Sequence, residues 1–577
     1  MYRQEHPNPQ FLRDSWVNLN GEWDFEFDFG TSGIERKLYT MDSFSKKINV
    51  PFCPESSLSG IEYKDFIPGV WYLKKFTIPA EQKNKRIFIH FGAVDYECHV
   101  FINKQEVGTH IGGYTSFQFD ITEYIQDGEN TICVFAKDDV RSHEQPKGKQ
   151  AHKFYSSGCD YTRTTGIWQT VWLEFTPKSY IEDFKFFPDV KNQKLGFEIK
   201  TKGCENLTVK TSFEGRPTGE CTLNACQDTV FGEVALSEKQ LWEVGCGKLY
   251  DVELVFGEDT VKTYFGLRDV KIDGYKVLIN GKSVFQRLVL DQGFYPDGIY
   301  TAPTEDDLIK DIKLSLDAGF NGARLHEKVF EPRFLYHCDK LGYIVWGEYP
   351  NWGIDHTSPY MLAPYINQWK ESVERDFNHP AIIGWCPFNE TSPDQYKELL
   401  STVYHITKSW DKTRPCIGTS GYFQVETDIY DVHDYSQNPA ELQEHYANLN
   451  TGEYTELKDP HQNYNEKKYF GKPFWVSEFG GIAWSMSNED KIRHGWSGDA
   501  NAAWGYGKNP TTEEEFIARY KGQTEALLNN PYMFGFCYTQ LYDIEQEING
   551  LYTYDRTPKF DMSIFKAINS QKAKIED

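Results

Sequence analysis

The sequence predicts three domains in order: a β jelly roll, an immunoglobulin-like β-sandwich and a C-terminal (β/α)8 TIM barrel. At 577 residues the chain is too long for a single hydrophobic core. Two β-rich stretches cover residues 1–177 and 178–268. Beyond 269, apolar strands alternate with helical stretches, which is typical of a barrel. We therefore predict domains at 1–177, 178–268 and 269–577.

In the first stretch, short alternating segments such as 70–78 and 86–91 are separated by Gly, Pro and Asp turns, with no helical periodicity. This spacing favours a jelly roll or sandwich. The second stretch, 178–268, has the size of one immunoglobulin-like sandwich.

The third stretch contains eight candidate strands, at 287–291, 322–326, 343–348, 382–390, 416–420, 429–435, 474–478 and 534–541. Most are separated by amphipathic segments, at 305–318, 331–341, 365–377 and 513–528. Eight strands alternating with helices predict a barrel whose functional residues lie at the carboxyl ends of the strands.

Two of these strands are apolar runs that end in a glutamate, Glu390 and Glu478, 88 positions apart. A buried parallel strand has this appearance when its last side chain emerges at the rim of a barrel. Glycoside hydrolysis requires such a carboxylate pair. Each glutamate alone could equally be an ordinary rim residue, and the barrel context favours the catalytic interpretation.

Composition excludes several classes of partner. The net charge of −24 opposes binding to nucleic acid or to anionic membranes. The sequence contains no run of about twenty apolar residues, so it predicts no helix that spans a membrane. Residues 1–7 lack the apolar core of a signal peptide, so we expect a cytoplasmic location. The aromatic content of 16% fits a carbohydrate-active protein, although sheet cores also consume aromatic residues.

The twelve cysteines are dispersed, without a Cys-x-x-Cys pair or a Cys/His cluster. Several lie inside predicted strands, where a thiol behaves as a small buried apolar group. We expect reduced cysteines, no metal and no cofactor.

Several motifs carry a resemblance to a known family. They are Trp-Val-Asn-Leu-Asn-Gly-Glu-Trp at 16–23, Gly-Val-Trp-Tyr at 69–72, the segment 160–169, Asn-Gly-Ala-Arg-Leu-His at 321–326, Phe-Asn-Glu at 388–390 and Val-Ser-Glu-Phe-Gly at 476–480. In this order and spacing the chain resembles glycoside hydrolase family 2, the family of β-galactosidases, β-glucuronidases and β-mannosidases. The resemblance implies that Glu390 is the general acid/base, that Glu478 is the nucleophile, and that the reaction retains anomeric configuration with carboxyls about 5 Å apart.

The assigned roles place demands on the neighbouring residues. Glu478 must be ionised, and we expect Arg324 and the Tyr435 hydroxyl to lower its pKa. Arg324 could alternatively be a structural ion-pair partner. Glu390 must hold a proton, and we expect the charge on Glu478 and an apolar surrounding to raise its pKa. Asn389 is expected to donate to the sugar 2-hydroxyl.

Further substrate-binding candidates lie at strand ends and in the loops that follow. His326, His433 and Asp291 end predicted strands, and Gln540 lies in the ending of the eighth. Each isolated histidine could instead be a satisfied core or rim residue. The long segment 483–510 is interpreted as a lid carrying a stacking tryptophan. The tryptophans considered for stacking are Trp352, Trp484, Trp496 and Trp504, and Trp484 is included in the candidate site.

One departure from the family narrows the substrate. Glucuronidases of the family carry Asn-x-Lys before a Gly-Ile-Phe-Thr-like stretch, and here Glu547-Ile548-Asn549 precedes 550–553. Without the lysine, a uronic acid would be repelled. We therefore predict an exo-acting enzyme for a neutral terminal sugar, with β-D-galactose first.

Several alternatives stay open. They are a β-mannosidase, a galactofuranosidase or arabinofuranosidase, a β-glucuronidase, and a non-catalytic carbohydrate-binding protein. An inverting enzyme would need carboxyls about 6.5 to 9.5 Å apart. The partner expected is a glycoside or oligosaccharide, and a homo-oligomer is left open.

Overall fold

The computed structural model describes residues 3–450, 471–486, 493–494 and 503–577. They form two β-sandwich regions followed by an α/β barrel, which confirms the predicted fold class. The sheets change between 176 and 180 and again between 265 and 270, whereas the domain limits themselves stay predictions. None of the helices in these ranges combines the length and the apolar character needed to cross a membrane.

The first region is built on two antiparallel sheets that enclose a core rich in Ile, Val and Phe. Its strands are β1 Trp16–Asn18, β2 Gly21–Phe27, β3 Lys46–Val50, β4 Gly69–Thr77, β5 Arg86–Phe91, β6 Val94–Asp95, β7 Glu97–Ile102, β8 Gln105–Ile111, β9 Phe117–Asp120, β10 Glu129–Lys137, β11 Gly166–Ile167 and β12 Val171–Thr176. The larger sheet has the order β3-β2-β4-β10-β7-β8 and the smaller β1-β12-β5-β9.

The second region contains a three-stranded and a four-stranded sheet, with orders β13-β14-β17 and β16-β15-β18-β19. Alternation of buried and half-exposed residues along each strand gives them a shared core. The strands are β13 Tyr180–Asp189, β14 Lys194–Lys202, β15 Glu205–Phe213, β16 Arg216–Ala225, β17 Thr229–Ala235, β18 Tyr250–Phe256 and β19 Asp259–Phe265.

Cys204 and Cys226 are joined by a disulfide in this second region, so the expectation of reduced cysteines throughout is wrong at this pair. The register explains the pairing, because Glu205 faces Ala225 at the open end of the β15–β16 hairpin and the next residues on each strand are the two cysteines. The hairpin brings together residues that are 22 positions apart.

A small three-stranded sheet, of β20 Val270–Asp273, β21 Lys276–Ile279 and β22 Lys282–Ser283, leads into the barrel. The barrel strands are β23 Gln286–Asp291, β24 Gly322–Leu325, β25 Ile344–Glu348, β26 Ile382–Cys386, β27 Tyr430–Asp434, β28 Phe474–Phe479 and, after the short pair β29 Arg493–His494 and β30 Trp504–Gly505, β31 Met533–Tyr538. Seven strands form one parallel sheet in the order β26-β25-β24-β23-β31-β28-β27.

The helices around the barrel include the four predicted segments, with their ends shifted by a few residues. They are α1 Glu305–Asp317, α2 Pro332–Leu341, α3 Leu362–Asp376, α4 Lys397–Trp410, α5 Pro439–His445, α6 Glu513–Leu528 and α7 Met562–Asn569. The helices α4, α5 and α7 were not predicted. Each helix buries one apolar face against the strands.

The predicted fifth strand, 416–420, is not a regular strand within the described part of the chain. It pairs with the fourth only through isolated bridges from Trp385 to Cys416 and from Asn389 to Ser420. The predicted fourth strand is correspondingly shorter, since β26 ends at Cys386 and the last residues before Glu390 leave the ladder. This irregular edge places the 388–390 segment against Ser420.

The first region also reaches across the open end of the barrel. Lys147 N donates to the Trp352 carbonyl at 2.7 Å, and Gln292 Nε2 donates to the Tyr161 hydroxyl at 3.0 Å. Trp504 Nε1 donates to the Gly158 carbonyl at 2.6 Å. Residues 147–161 therefore form one wall of the cleft at the carboxyl ends of the strands.

Candidate active site

Glu390 and Glu478 lie together at the carboxyl end of the barrel, as the sequence predicts. One carboxylate oxygen of each and one ring nitrogen of His433 all lie within 4.8 Å of one another. This spacing is close to the roughly 5 Å that a retaining glycosidase requires and below the separation needed to hold a water molecule for inversion.

Glu390 is held by the irregular fourth and fifth strands. Its backbone has φ of 50°, in the left-handed region, and its N–H donates to the Ser420 carbonyl at 2.8 Å. His433 Nδ1 lies 2.8 Å from Glu390 Oε1. A left-handed non-glycine residue is costly and is often found at functional sites.

Asn389 is fixed next to the acid by two hydrogen bonds with Asn351. The Asn389 N–H donates to Asn351 Oδ1 at 2.7 Å, and Asn351 Nδ2 donates to the Asn389 carbonyl at 3.0 Å. Asn389 Oδ1 accepts from Arg324 at 3.1 Å, whereas its Nδ2 has no partner within the described residues. That Nδ2 is therefore a ready donor, as predicted for a sugar hydroxyl.

Glu478, in β28, is surrounded by donors. Arg324 Nη1 lies 3.0 Å from Glu478 Oε1, and the Tyr435 hydroxyl donates to Glu478 Oε2. His326 Nε2 lies 4.0 Å from the same carboxylate. Burial raises the pKa of Glu478 and the charge on Glu390 adds to this, but the positive charges of His433 and Arg324 outweigh both and lower the pKa below its usual value.

The predicted direction of the Glu390 pKa is wrong. Burial does raise it, but the hydrogen bond and positive charge of His433, with Lys149 and Arg324, lower the pKa below the ordinary glutamate value. The pKa of His433 is raised, chiefly by Glu478 and Glu390 against the effect of burial. The expectation failed because the position of His433 between the two carboxylates follows from the closed barrel.

The sequence left two roles open for Arg324, a partner that lowers the pKa of Glu478 and a structural ion-pair partner, and its contacts fit both. Its Nη1 binds Glu478, and its Nε donates to Glu348 Oε1 at 2.6 Å. Glu348 also lies 3.1 Å from His326 Nδ1. Burial and the charges of Lys149 and Arg324 lower the pKa of His326, beside Glu478, well below the ordinary value.

Two candidates are engaged away from the carboxylate pair. Asp291 Oδ1 accepts from the Tyr542 hydroxyl at 2.6 Å and from the Gly293 N–H at 3.0 Å. Trp484 packs against Phe516 and Phe560 with ring centroids 6.2 and 5.8 Å away. Phe516 belongs to α6 and Phe560 lies shortly before α7, and their apolar rings cover one face of Trp484.

The other tryptophan candidates differ in their surroundings. Trp504 is buried, with its indole N–H bound to Gly158, and one face of Trp352 is covered by Lys149, whose Nζ lies 3.6 Å from the ring centroid. Trp496 and most of the 483–510 segment lie outside the described residues.

Gln540 belongs to a buried polar network beside the site. Its Oε1 accepts from Gln292, which also donates to the Tyr161 hydroxyl, and Tyr161 donates to Glu547. Gln540 Nε2 has no hydrogen-bond partner within the described ranges. The network links the end of β31 to the wall formed by 147–161.

Sequence reasoning missed three residues that shape the site: Glu348, Asn351 and Lys149. Glu348 has the signal used for the catalytic pair, since it ends an apolar strand, Val-Trp-Gly-Glu, at 345–348. Asn351 lies three residues further on, in the loop where functional side chains are expected. Lys149 has no local signal, because it comes from the first region.

Glu390, His433 and Glu478 also form the one three-ligand group found in the described residues whose donor atoms are close enough to hold a metal ion. The raised pKa of His433 and the arginine on Glu478 already supply positive charge there. The same three side chains can provide a proton donor, a proton acceptor and a nucleophilic carboxylate.

Two parts of the chain match models of known protein domains. Residues 17–177 match the model of the glycosyl hydrolases family 2 sugar binding domain, and residues 270–573 match that of the family's TIM barrel domain. The chain is 26% identical over 456 residues to the beta-galactosidase of Thermoanaerobacter pseudethanolicus, covering 73% of this chain and 57% of that protein. It is 25% identical over 536 residues to the beta-glucuronidase of Rattus norvegicus, covering 82% and 79%.

Among solved structures, the Lactobacillus rhamnosus beta-glucuronidase superposes with a TM-score of 0.80 at 19% identity, covering 99% of this chain and 100% of that one. At that identity the likeness speaks for the fold alone. The sequence match to the barrel model spans more than half of the chain and contains both Glu390 and Glu478. The protein is therefore a member of glycoside hydrolase family 2.

Proposed function

We propose that the protein is a retaining exo-glycosidase that removes a neutral sugar, with β-D-galactose first, from the non-reducing end of a glycoside. The observation that carries this proposal is the carboxylate pair, whose oxygens lie within 4.8 Å of each other at the open end of the barrel. Such a separation suits direct attack by one carboxylate and leaves no room for an inverting water.

In the proposed first step, Glu478 attacks the anomeric carbon while the glycosidic oxygen takes a proton from Glu390. Arg324 and Tyr435 keep Glu478 ionised and orient it. The proton held between His433 and Glu390 moves onto Glu390 and then to the leaving oxygen, so the low pKa of Glu390 before substrate binding does not prevent acid catalysis.

The covalent intermediate then removes the negative charge of Glu478. Because that charge is the first cause that raises the pKa of His433, its loss keeps the His433–Glu390 pair deprotonated once the pair has given its proton to the leaving oxygen. Glu390 can then accept a proton from the water that hydrolyses the intermediate. One residue thereby serves as acid and base in succession.

The surroundings of Glu547 support the choice of a neutral sugar. This carboxyl is buried where the resemblance places the first residue of a glucuronidase Asn-x-Lys motif, and it accepts hydrogen bonds from Tyr161 and Asn549. Burial raises its pKa to about 7. A substrate carboxylate would meet an acid and an amide here, and repulsion of this kind costs affinity.

The choice of galactose is supported by the similarity to the T. pseudethanolicus beta-galactosidase. The similarity to the rat beta-glucuronidase favours a uronic acid instead, and the family also includes mannosidases. Furanosides of galactose and arabinose are further alternatives.

A panel of nitrophenyl glycosides tests the proposal directly. It should contain β-galactoside, β-mannoside, β-glucuronide and the two furanosides, each assayed by kcat/KM and by the anomer released. We expect a neutral glycoside to exceed the glucuronide by at least about a hundredfold, since about 1.4 kcal/mol of differential binding is a factor of ten. A faster glucuronide would contradict the neutral-sugar assignment.

Glu478→Gln provides the mechanistic control. The replacement has nearly the same shape and removes the nucleophile, so turnover of the best substrate should fall by at least about a thousandfold while the thermal melting curve is retained. Activity like that of the unmodified protein would contradict the assignment of Glu478.

A further inference from the structure

A lysine from the first β region lies within electrostatic range of Glu390 and Glu478. Lys149 belongs to a turn, 147–150, that is held against the barrel by hydrogen bonds from Lys147 N and Gly148 N to the Trp352 carbonyl, at 2.7 and 3.1 Å. Its Nζ lies 3.6 Å from the Trp352 ring centroid. The turn therefore fixes one ammonium group in the cleft.

Lys149 differs from the other buried lysines of the described chain. Lys147 pairs with Asp160 at 2.9 Å, Lys328 donates to the Gly293 and Tyr300 carbonyls, and Lys559 pairs with Asp543 at 2.6 Å. Lys149 is only 6% exposed, yet its ammonium has neither a hydrogen bond nor an ion pair with any described residue. Its described contact is the face of Trp352, so the N–H donors of the ammonium remain open to a ligand in the cleft.

The charge of Lys149 is nevertheless balanced at longer range. Burial lowers its pKa, but Glu390, Glu327 and Glu478 are among the groups whose charges raise it, so the amine stays protonated. Lys149 in turn contributes to lowering the pKa of Glu390 and of Glu547. Carboxyl groups therefore surround the ammonium without forming direct contacts.

We propose that Lys149 is a substrate-binding residue whose ammonium donates hydrogen bonds to hydroxyl oxygens of the sugar held at Glu390 and Glu478. This inference rests on the proposed function and deepens it by naming one donor, in the 147–150 turn, that recognises the sugar. The donors that recognise the sugar are then contributed by two separate regions of the fold.

Two observations favour sugar hydroxyls over a substrate carboxylate. The surrounding acids already balance the charge of Lys149, and a neutral oxygen adds no further negative charge to a site that contains Glu390, Glu478 and Glu547. The barrel also offers two amide donors without described partners, Asn389 Nδ2 and Gln540 Nε2. An array of N–H donors complements a molecule that presents several hydroxyl oxygens.

The test combines Lys149→Met with single-hydroxyl deletions of the substrate. Methionine has an unbranched side chain of similar length and removes the ammonium. The best neutral aryl glycoside and its monodeoxy analogues are compared by kcat/KM, alongside Lys149→Gln as a second variant and Lys153→Met as the matched control. Lys153 is an exposed lysine near the same turn.

We expect Lys149→Met to lower kcat/KM on the parent glycoside by about 10- to 100-fold, as for a hydrogen bond from a charged donor. The loss should disappear on the deoxy analogue that lacks the contacted hydroxyl, whereas Lys153→Met should behave like the unmodified protein. The comparison is made between substrates of one folded variant. A general structural defect would therefore lower kcat/KM equally for every substrate.

Three results would overturn the inference. The first is a change in kcat/KM of less than about threefold, and the second is an equal loss of kcat/KM on every deoxy analogue with both Lys149 variants. The third is a selective loss of glucuronide turnover, which would identify Lys149 as an anion receptor. Failure of the proposed function looks different. In that case the unmodified protein hydrolyses no neutral glycoside, or Glu478→Gln leaves turnover unchanged.

Discussion

At the scale of single residues, His433 is the first cause that lowers the pKa of both candidate carboxylates, Glu390 and Glu478, against the effect of burial. Its Nδ1 lies 2.8 Å from Glu390 and its Nε2 lies 3.5 Å from Glu478. Ser420 Oγ lies 3.0 Å from the same Nε2 and holds the ring. The histidine thus connects the acid/base and the nucleophile through one proton-carrying ring.

Replacing His433 by Gln should move the acidic limb of the pH profile to higher pH. His433 holds the pKa of Glu478 below its usual value, so losing its positive charge raises that pKa and leaves more nucleophile protonated at a given acidic pH. The measurement is kcat/KM from pH 3.5 to 9. His405→Gln on the exposed face of α4 is the control, and an unshifted limb would contradict the role of His433.

Glu390→Ala should show a strong dependence on the leaving group. An activated phenol leaves with little help from an acid, whereas the alcohol of a disaccharide requires protonation. The loss in kcat/KM should therefore be at least about a hundredfold smaller for a dinitrophenyl glycoside than for a disaccharide with the same terminal sugar. Equal losses on the two substrates would remove Glu390 from the acid role.

At the scale of structural elements, the irregular 416–420 segment matters more than its two bridges suggest. Ser420 accepts the Glu390 N–H through its carbonyl and holds His433 through its hydroxyl. Gly421, with φ of 77°, follows immediately, and a Cβ on it would lie 2.7 Å from His433 Nδ1. The segment is irregular at the position where it must accommodate the histidine.

Gly421→Ala should therefore reduce activity as well as stability. We expect a fall of at least about tenfold in kcat/KM, because the ring must shift away from Glu390, together with a loss of about 1–3 kcal/mol from backbone strain. Gly128→Ala is a matched control, since Gly128 has φ of 91° and a Cβ there would contact nothing within 4 Å. If both variants lose stability and neither loses activity, the displacement argument is wrong.

At the scale of the whole molecule, buried acids shape the dependence of stability on pH. Burial raises the pKa of Glu55 and of Glu327 to about 8, of Glu547 to about 7 and of Asp138 to about 6. Carboxyls with raised folded-state pKa values favour the unfolded chain as pH rises, because the unfolded chain loses those protons first.

The free energy of unfolding should consequently fall between about pH 6.5 and pH 8, where the acids with pKa values of about 7 and 8 lose their protons. Below that range the trend is opposed by four histidines with lowered pKa values, His6 and His356 at about 4 together with His326 and His337, because the unfolded chain still protonates them there. Glu55→Gln should flatten the slope by up to about 1.4 kcal/mol per pH unit, since it removes one titrating group. Denaturant unfolding at several pH values checks both statements, and a stability that rises with pH where the acids titrate would contradict them.

The sequence by itself determined the fold class and the candidate carboxylate pair. Local features carry this prediction: the strand periodicity, the amphipathic helices and the apolar runs that end in Glu390 and Glu478. When a buried parallel strand ends in a polar residue, that residue is expected at the rim of the barrel. Arg324, Asn389 and Tyr435 could be predicted for the same reason, because strand order places the ends of neighbouring strands at one rim.

Only the tertiary structure decided the contacts between distant segments. The pKa of Glu390 depends on His433, which lies 43 positions away, and the position of Lys149 depends on how the first region packs on the barrel. Asp291 and Trp484 have the same local signals as true site residues, yet they bind Tyr542 and pack on Phe516. Electrostatic fields and side-chain packing depend on distances in space, and the spacing of residues along the chain does not determine those distances.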